Sequence, residues 1–214
     1  PKKEHHDVEM LLDLVRNTCV VTDRVLAPLP GSAPLVVVGI RTADYPKLLA
    51  QLVKVDPRLQ AWAGGAGQTV NGFILSDPLV AAWIDDPAGV DEWYPYNECI
   101  HRTAELLIRR RAPQLPGWFL LGLGWHVEDT VLSCIYCFPH RAGFVSQAEH
   151  TDWGLCLANN FKPSRRKKDN KPPHLGMEEF AGWSPGSGGD EFSTGQAYTA
   201  FGVARYLAHE HTSK

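Results

Sequence analysis

The chain has 214 residues, 44% of them hydrophobic, and a formal net charge of -3 at pH 7; that is enough apolar material for one sizeable core. The near-neutral balance argues against a general polyanion binder, so no nucleic-acid partner is expected, and no apolar run reaches the roughly 20 residues that a membrane-spanning helix needs. Five cysteines are an odd number and do not form a disulfide framework; reduced thiols tilt the address toward a cytoplasmic compartment without fixing it.

Residues 7–26 read as a helix capped by Asp7, with Val8, Leu11, Leu12, Val15 and Cys19 on its apolar face. Pro28, Pro30 and Gly31 break the chain. Residues 35–40 are rich in β-branched side chains and read as a buried strand. Thr42 can cap a helix reaching about Val55, with Tyr45, Leu48, Leu49 and Leu52 inward. Gly64, Gly65 and Gly67 read as a turn, and they lack the strand and helix that a phosphate-binding glycine loop requires. Two short strands, 70–75 and 79–84, flank a Ser76-Asp77-Pro78 turn, and a loop follows at 85–90.

The spacing predicts a helix over 96–111, with Ile100, Ala104, Leu107 and Ile108 inward and three arginines where the helix dipole favours them. Pro113 and Pro116 force a break, and a second apolar helix runs over 117–129. Residues 130–138 fit strand or helix equally. Residues 139–195 read as irregular, with a short helix at 177–183 and a solvated basic run at 165–168. A last amphipathic helix covers 197–209, with Tyr198, Phe201, Ala204 and Leu207 inward. With no repeat and no βαβ rhythm, the class is α+β in one domain, 1–214, with an N-terminal helix in 1–30 and an irregular insertion at 139–195.

The chemistry lies in the two central helices. The first opens Asn97-Glu98-Cys99-Ile100-His101, and the second runs Pro116-Gly117-Trp118-Phe119-Leu120-Leu121-Gly122-Leu123-Gly124, with nineteen residues between His101 and Leu121. In an HExxH site two histidines four apart point from one helix face to zinc, and the intervening Glu activates the bound water. The order and spacing here resemble the gluzincin metallopeptidases, whose third ligand is a Glu on the following helix. The segment Arg41-Thr42-Ala43-Asp44-Tyr45 and the late helix carrying Gln196, Ala197 and Tyr198 are similar to flanking parts of such peptidases and of related bacterial domains. The likeness covers 34–129 and 177–209. It implies a zincin-like fold, in which a small mixed sheet packs on the active-site-type helix pair with C-terminal helices beyond.

The motif is degenerate. Asn97 stands at the first ligand position and Leu121 at the third, which leaves a vestigial general base, Glu98, and a vestigial ligand, His101. A catalytic zinc needs three protein ligands of imidazole, thiolate or carboxylate type, and without the metal Glu98 has no bound water to activate. The resemblance therefore implies a catalytically inactive pseudo-peptidase without a cofactor, acting in binding, scaffolding or regulation toward a protein or peptide partner. Glu98 and His101 read as a half-buried polar pair, and Trp93, Tyr94 and Tyr96 as exposed aromatics that line a groove or pack in the core.

Two alternatives keep zinc. An active metallopeptidase could use a non-standard set of His101, His126 and Glu128. Five steps past Leu121 turn His126 about 140° away, whereas seven bring Glu128 back within about 20° but roughly 10 Å along the axis. Alternatively Cys134, Cys137, His150 and Cys156 could hold a structural zinc, with His140 nearby; twelve residues separate Cys137 from His150, and five separate His150 from Cys156. A deaminase reading of His126-x-Glu128 with the Cys134/Cys137 pair fails because only five residues lie between Glu128 and Cys134. An iron site on His150-x-Asp152 fails for want of strands.

Overall fold

The computed structural model describes residues 8–26, 28, 34–66, 72–85, 94–137, 152–160 and 194–212. Its sheet has three strands, β1 (Val36–Ile40), β2 (Gly72–Ser76) and β3 (Leu79–Ile84), in the order β1-β3-β2. β2 and β3 form an antiparallel hairpin around Asp77 and a cis Pro78, pairing Ser76 with Leu79. β1 runs parallel to β3, with Val36 opposite Val80 and Ile40 opposite Ile84. A parallel pair needs a long crossover. It is supplied by α2 (Tyr45–Val55), a 3-10 turn (Pro57–Leu59) and α3 (Gln60–Ala66). The chain then passes through β2 before reaching β3, so the parallel pair forms without a repeating β-α-β rhythm. Gly64 and Gly65 lie inside α3 rather than in a turn, while Gly67 falls outside the described residues.

The central strand β3 is buried on both faces. Val80, Ala82 and Ile84 pack with Phe73, Leu75, Tyr45 and Leu49 beneath α2, and Leu48 and Leu52 add to that cluster. Leu79 and Ala81 face Leu106 of α4 (Pro95–Arg111) on the other side. Pro95 suits the first turn of α4, where its missing N–H costs nothing. The helix then buries every residue from 97 to 108, polar ones included. It is enclosed by the sheet, by α1 (Val8–Leu26) and by α5 (Gly117–Leu132).

α1 turns a different face inward from the one expected. Val8 and Leu12 are exposed, whereas Thr18 and Thr22 are buried, with Leu14, Val21 and Val25 in the core beside them. The threonines can be buried because each hydroxyl donates back to a carbonyl one turn earlier, Leu14 and Thr18 respectively, at 2.7 and 2.6 Å. The proposed cap Asp7 lies outside the described residues.

α5 continues three residues beyond the expected end, so 130–132 are helical. It stops where Ser133 takes a left-handed conformation (φ 58) and its N–H caps the Asp129 carbonyl. Within the expected irregular insertion, α6 (Trp153–Asn160) is a helix. With α5 and α7 (Thr194–Thr212) it builds an aromatic cluster of Trp125, Trp153, Tyr198 and Phe201 around Leu121. On α7 it is Ala208 that turns inward and Leu207 that faces solvent. The helix expected at 177–183, the basic run at 165–168 and loop residues 86–90 lie outside the described residues. No helix among the described residues is long and apolar enough to cross a membrane.

Candidate functional site

The break between Ala112 and Pro116 folds α5 back antiparallel on α4, so moving four residues forward on one helix moves four back on the other. This register brings Asn97 opposite Glu128 and His101 opposite Gly124. The absence of a side chain at Gly124 lets the His101 ring lie on the helix backbone. A Cβ there would stand 2.9 Å from His101 Cε1 and 3.0 Å from its Nε2. Gly122 does the same for α7, because a Cβ would come within 2.3 Å of the Ala200 carbonyl oxygen.

The carboxyl that meets the degenerate motif therefore comes from Glu128. The helix-wheel expectation that it lies too far along the axis is overturned: the count began at Leu121, which faces the aromatic cluster instead. Glu128 Oε1 accepts from Asn97 Nδ2 at 2.6 Å, from the Tyr136 backbone N–H at 2.6 Å and from that of Cys137 at 3.0 Å. Its Oε2 lies 3.2 Å from His101 Nδ1. Asn97 Nδ2 also donates to the Cys134 carbonyl at 3.2 Å. The turn at Ser133 is what carries the backbone of 134–137 over the site, and Trp125 Nε1 holds it there by donating to the Cys137 carbonyl at 2.7 Å. Tyr94, half-buried, stacks on Tyr136 with ring centroids 3.7 Å apart.

Glu98 and His101 are both buried rather than half-buried as expected, and Glu128 likewise has no exposed surface. Burial pushes the Glu128 carboxyl up to about 8, against the opposing pull of its Tyr136, Asn97 and Cys137 donors. Burial pushes His101 down to about 4. Burial thus disfavours the charged form of each group and favours a neutral pair, in which the Glu128 hydroxyl donates to His101 Nδ1 and the single ring N–H sits on Nε2, which has no hydrogen-bond partner. The pair resolves the cost of isolated charge by giving up the charge.

Glu98 faces another way. Its carboxylate accepts from Arg102 Nε at 2.8 Å, and both side chains are buried. The Cys137 thiol, pushed well up by burial, also bonds to Glu98. Arg102 and Gly124 escaped the motif reading, although the i,i+4 spacing of Glu98 and Arg102 carried a signal.

Compared with known proteins, the chain matches no family model, no curated protein and no solved structure. The site rests on its geometry.

That geometry does not suit zinc. Of the donors around His101, Asn97 is a poor ligand, Glu128 Oε1 is already shared by three N–H groups, and Glu98 is held by a guanidinium. Among the described residues no group of three or more His, Cys, Asp or Glu side chains is arranged to hold a metal. His126 lies on the far side of α5 from His101, against His209 at 6.0 Å between centroids. For the cysteine cluster, Cys137 is buried, Cys134 is partly exposed near Asn97, and Cys156 packs from α6 against the aromatic cluster. His140, His150 and the groove aromatic Trp93 fall outside the described residues, and Tyr96 is half-buried.

Proposed function

We propose that this chain is a non-catalytic, gluzincin-like pseudo-peptidase domain that works by binding a protein or peptide partner as a scaffold or regulator. The observation that carries this reading is the closed state of the Glu128 carboxyl. Asn97, His101 and two backbone amides surround it in a fully buried site, at the point where a peptidase would keep donors open toward a metal and a substrate. The residue at the general-base position, Glu98, is likewise spent on an ion pair with Arg102. The helix pair is stitched by its own side chains without a metal, which leaves the surface of the domain as the part that acts.

The test is peptide hydrolysis by the purified chain in zinc-supplemented buffer, beside Glu98→Gln. Equal, background rates for both are expected. Turnover that disappears in Glu98→Gln would return the protein to the active metallopeptidases.

A further inference from the structure

His126, two residues before Glu128, points about 200° away from it around α5 and faces a separate cleft. Three helices line this cleft of about 480 Å³: α1 through Val21, Arg24 and Val25, α5 through His126 and Asp129, and α7 through Arg205, Ala208 and His209. Its volume falls in the range of small-molecule sites, and its walls combine apolar and polar groups as such sites do. Four nitrogen bases face one carboxylate. That carboxylate, Asp129, is already bound by Arg205 Nη1 at 2.9 Å.

Donors are left over. Arg205 spends one N–H on Asp129, and Arg24 makes no ion pair with any described residue. His126, 9% exposed, lines the cleft with the part of its ring that stays open, while its buried Nδ1 has no hydrogen-bond partner in the present packing. A buried polar nitrogen of this kind is unfavourable to leave unpaired. Bases near helix C-termini can simply answer the helix dipole, which accounts for Arg24 in the last turn of α1. It does not account for His126 and Arg205, which lie more than a turn before the ends of α5 and α7. A cation would meet two guanidiniums here and a single, occupied carboxylate.

We propose that this cleft binds a small organic anion: a carboxylate or phosphate group seated between Arg24, Arg205 and His126, with a short apolar body against Val21, Val25 and Ala208. The site is independent of the Glu128 cluster.

The experiment titrates the full chain separately with inorganic phosphate and with butyrate, up to about 10 mM, reading the melting temperature and the imidazole NMR resonances of His126 and His209. At least one probe is expected to raise the melting temperature and shift both sets of resonances. Arg24→Glu, an exposed substitution, is expected to weaken that binding about tenfold or more. A stronger response to phosphate assigns a phosphate ligand, and a stronger response to butyrate a carboxylate. The proposal is overturned if neither probe moves these resonances, if Arg24→Glu responds like wild type, or if zinc shifts them where the anions do not.

Discussion

Replacing Glu128 by Gln should stabilise the protein, increasingly so as pH rises. The folded carboxyl titrates near 8, against 4.5 for the free group. A folded pKa above the unfolded one means that the native state holds a proton the unfolded chain has released. The stabilisation it gives is complete below pH 4.5 and is lost as pH climbs toward 8. At pH 7 the loss spans two and a half pH units at about 1.4 kcal/mol each, or about 3 kcal/mol. Gln mimics the protonated acid without titrating. Its carbonyl can accept from Asn97, Tyr136 and Cys137, and its amide can donate to His101 Nδ1, as the Glu128 hydroxyl does. Urea denaturation of both proteins from pH 4.5 to 8.5 measures this directly. The variant's advantage should grow steadily to pH 8 and then level off. Parallel stability curves, with no growth of the difference between pH 5 and 8, would refute the reasoning. Glu128→Ala serves as the control: it strands three N–H groups and should lie about 3–5 kcal/mol below Glu128→Gln at every pH in this range, because neither side chain titrates.

Three further outcomes follow from the same packing. Gly124→Ala should cost about 1–3 kcal/mol by driving a methyl group into the His101 ring, read as a lower melting temperature. Arg102→Met should cost about 3–5 kcal/mol because it leaves Glu98 charged and unpaired in the interior, and adding Glu98→Gln should recover much of the loss. Leu121→Glu, which restores the residue type of a gluzincin third ligand, should lose at least about 4 kcal/mol and gain no zinc, because the carboxylate would enter the cluster of Trp125, Trp153 and Phe201; zinc-dependent stabilisation of this variant would contradict that placement.

The helix pair was legible in the sequence because prolines mark its boundaries, Ile100, Ala104, Leu107 and Ile108 recur at helical spacing in α4, and a long apolar stretch fills α5. The partner of His101 was not, because spacing along α5 says nothing about register until the hairpin between Ala112 and Pro116 sets it. Counting from Leu121 put Glu128 about two turns away, whereas the antiparallel packing puts it beside Asn97 and His101. α1 misled in a similar way: its buried stripe includes Thr18 and Thr22, whose back-bonded hydroxyls no hydrophobic pattern reveals. α6 escaped because eight residues give too little periodicity, and its fit depends on Trp153 meeting Tyr198 and Phe201 from a distant part of the chain. The α+β class was legible from the mixture of elements. The parallel pairing of β1 with β3 depended on a crossover that the glycines of α3 disguised as a turn.

Metal analysis of the purified full chain after equilibration with zinc, for wild type and His101→Ala in parallel, tests the closed site most directly. Equal zinc content in the two proteins is the expected result, with His101 neutral, buried and engaged by Glu128. One equivalent of zinc in wild type that is absent from His101→Ala would contradict it.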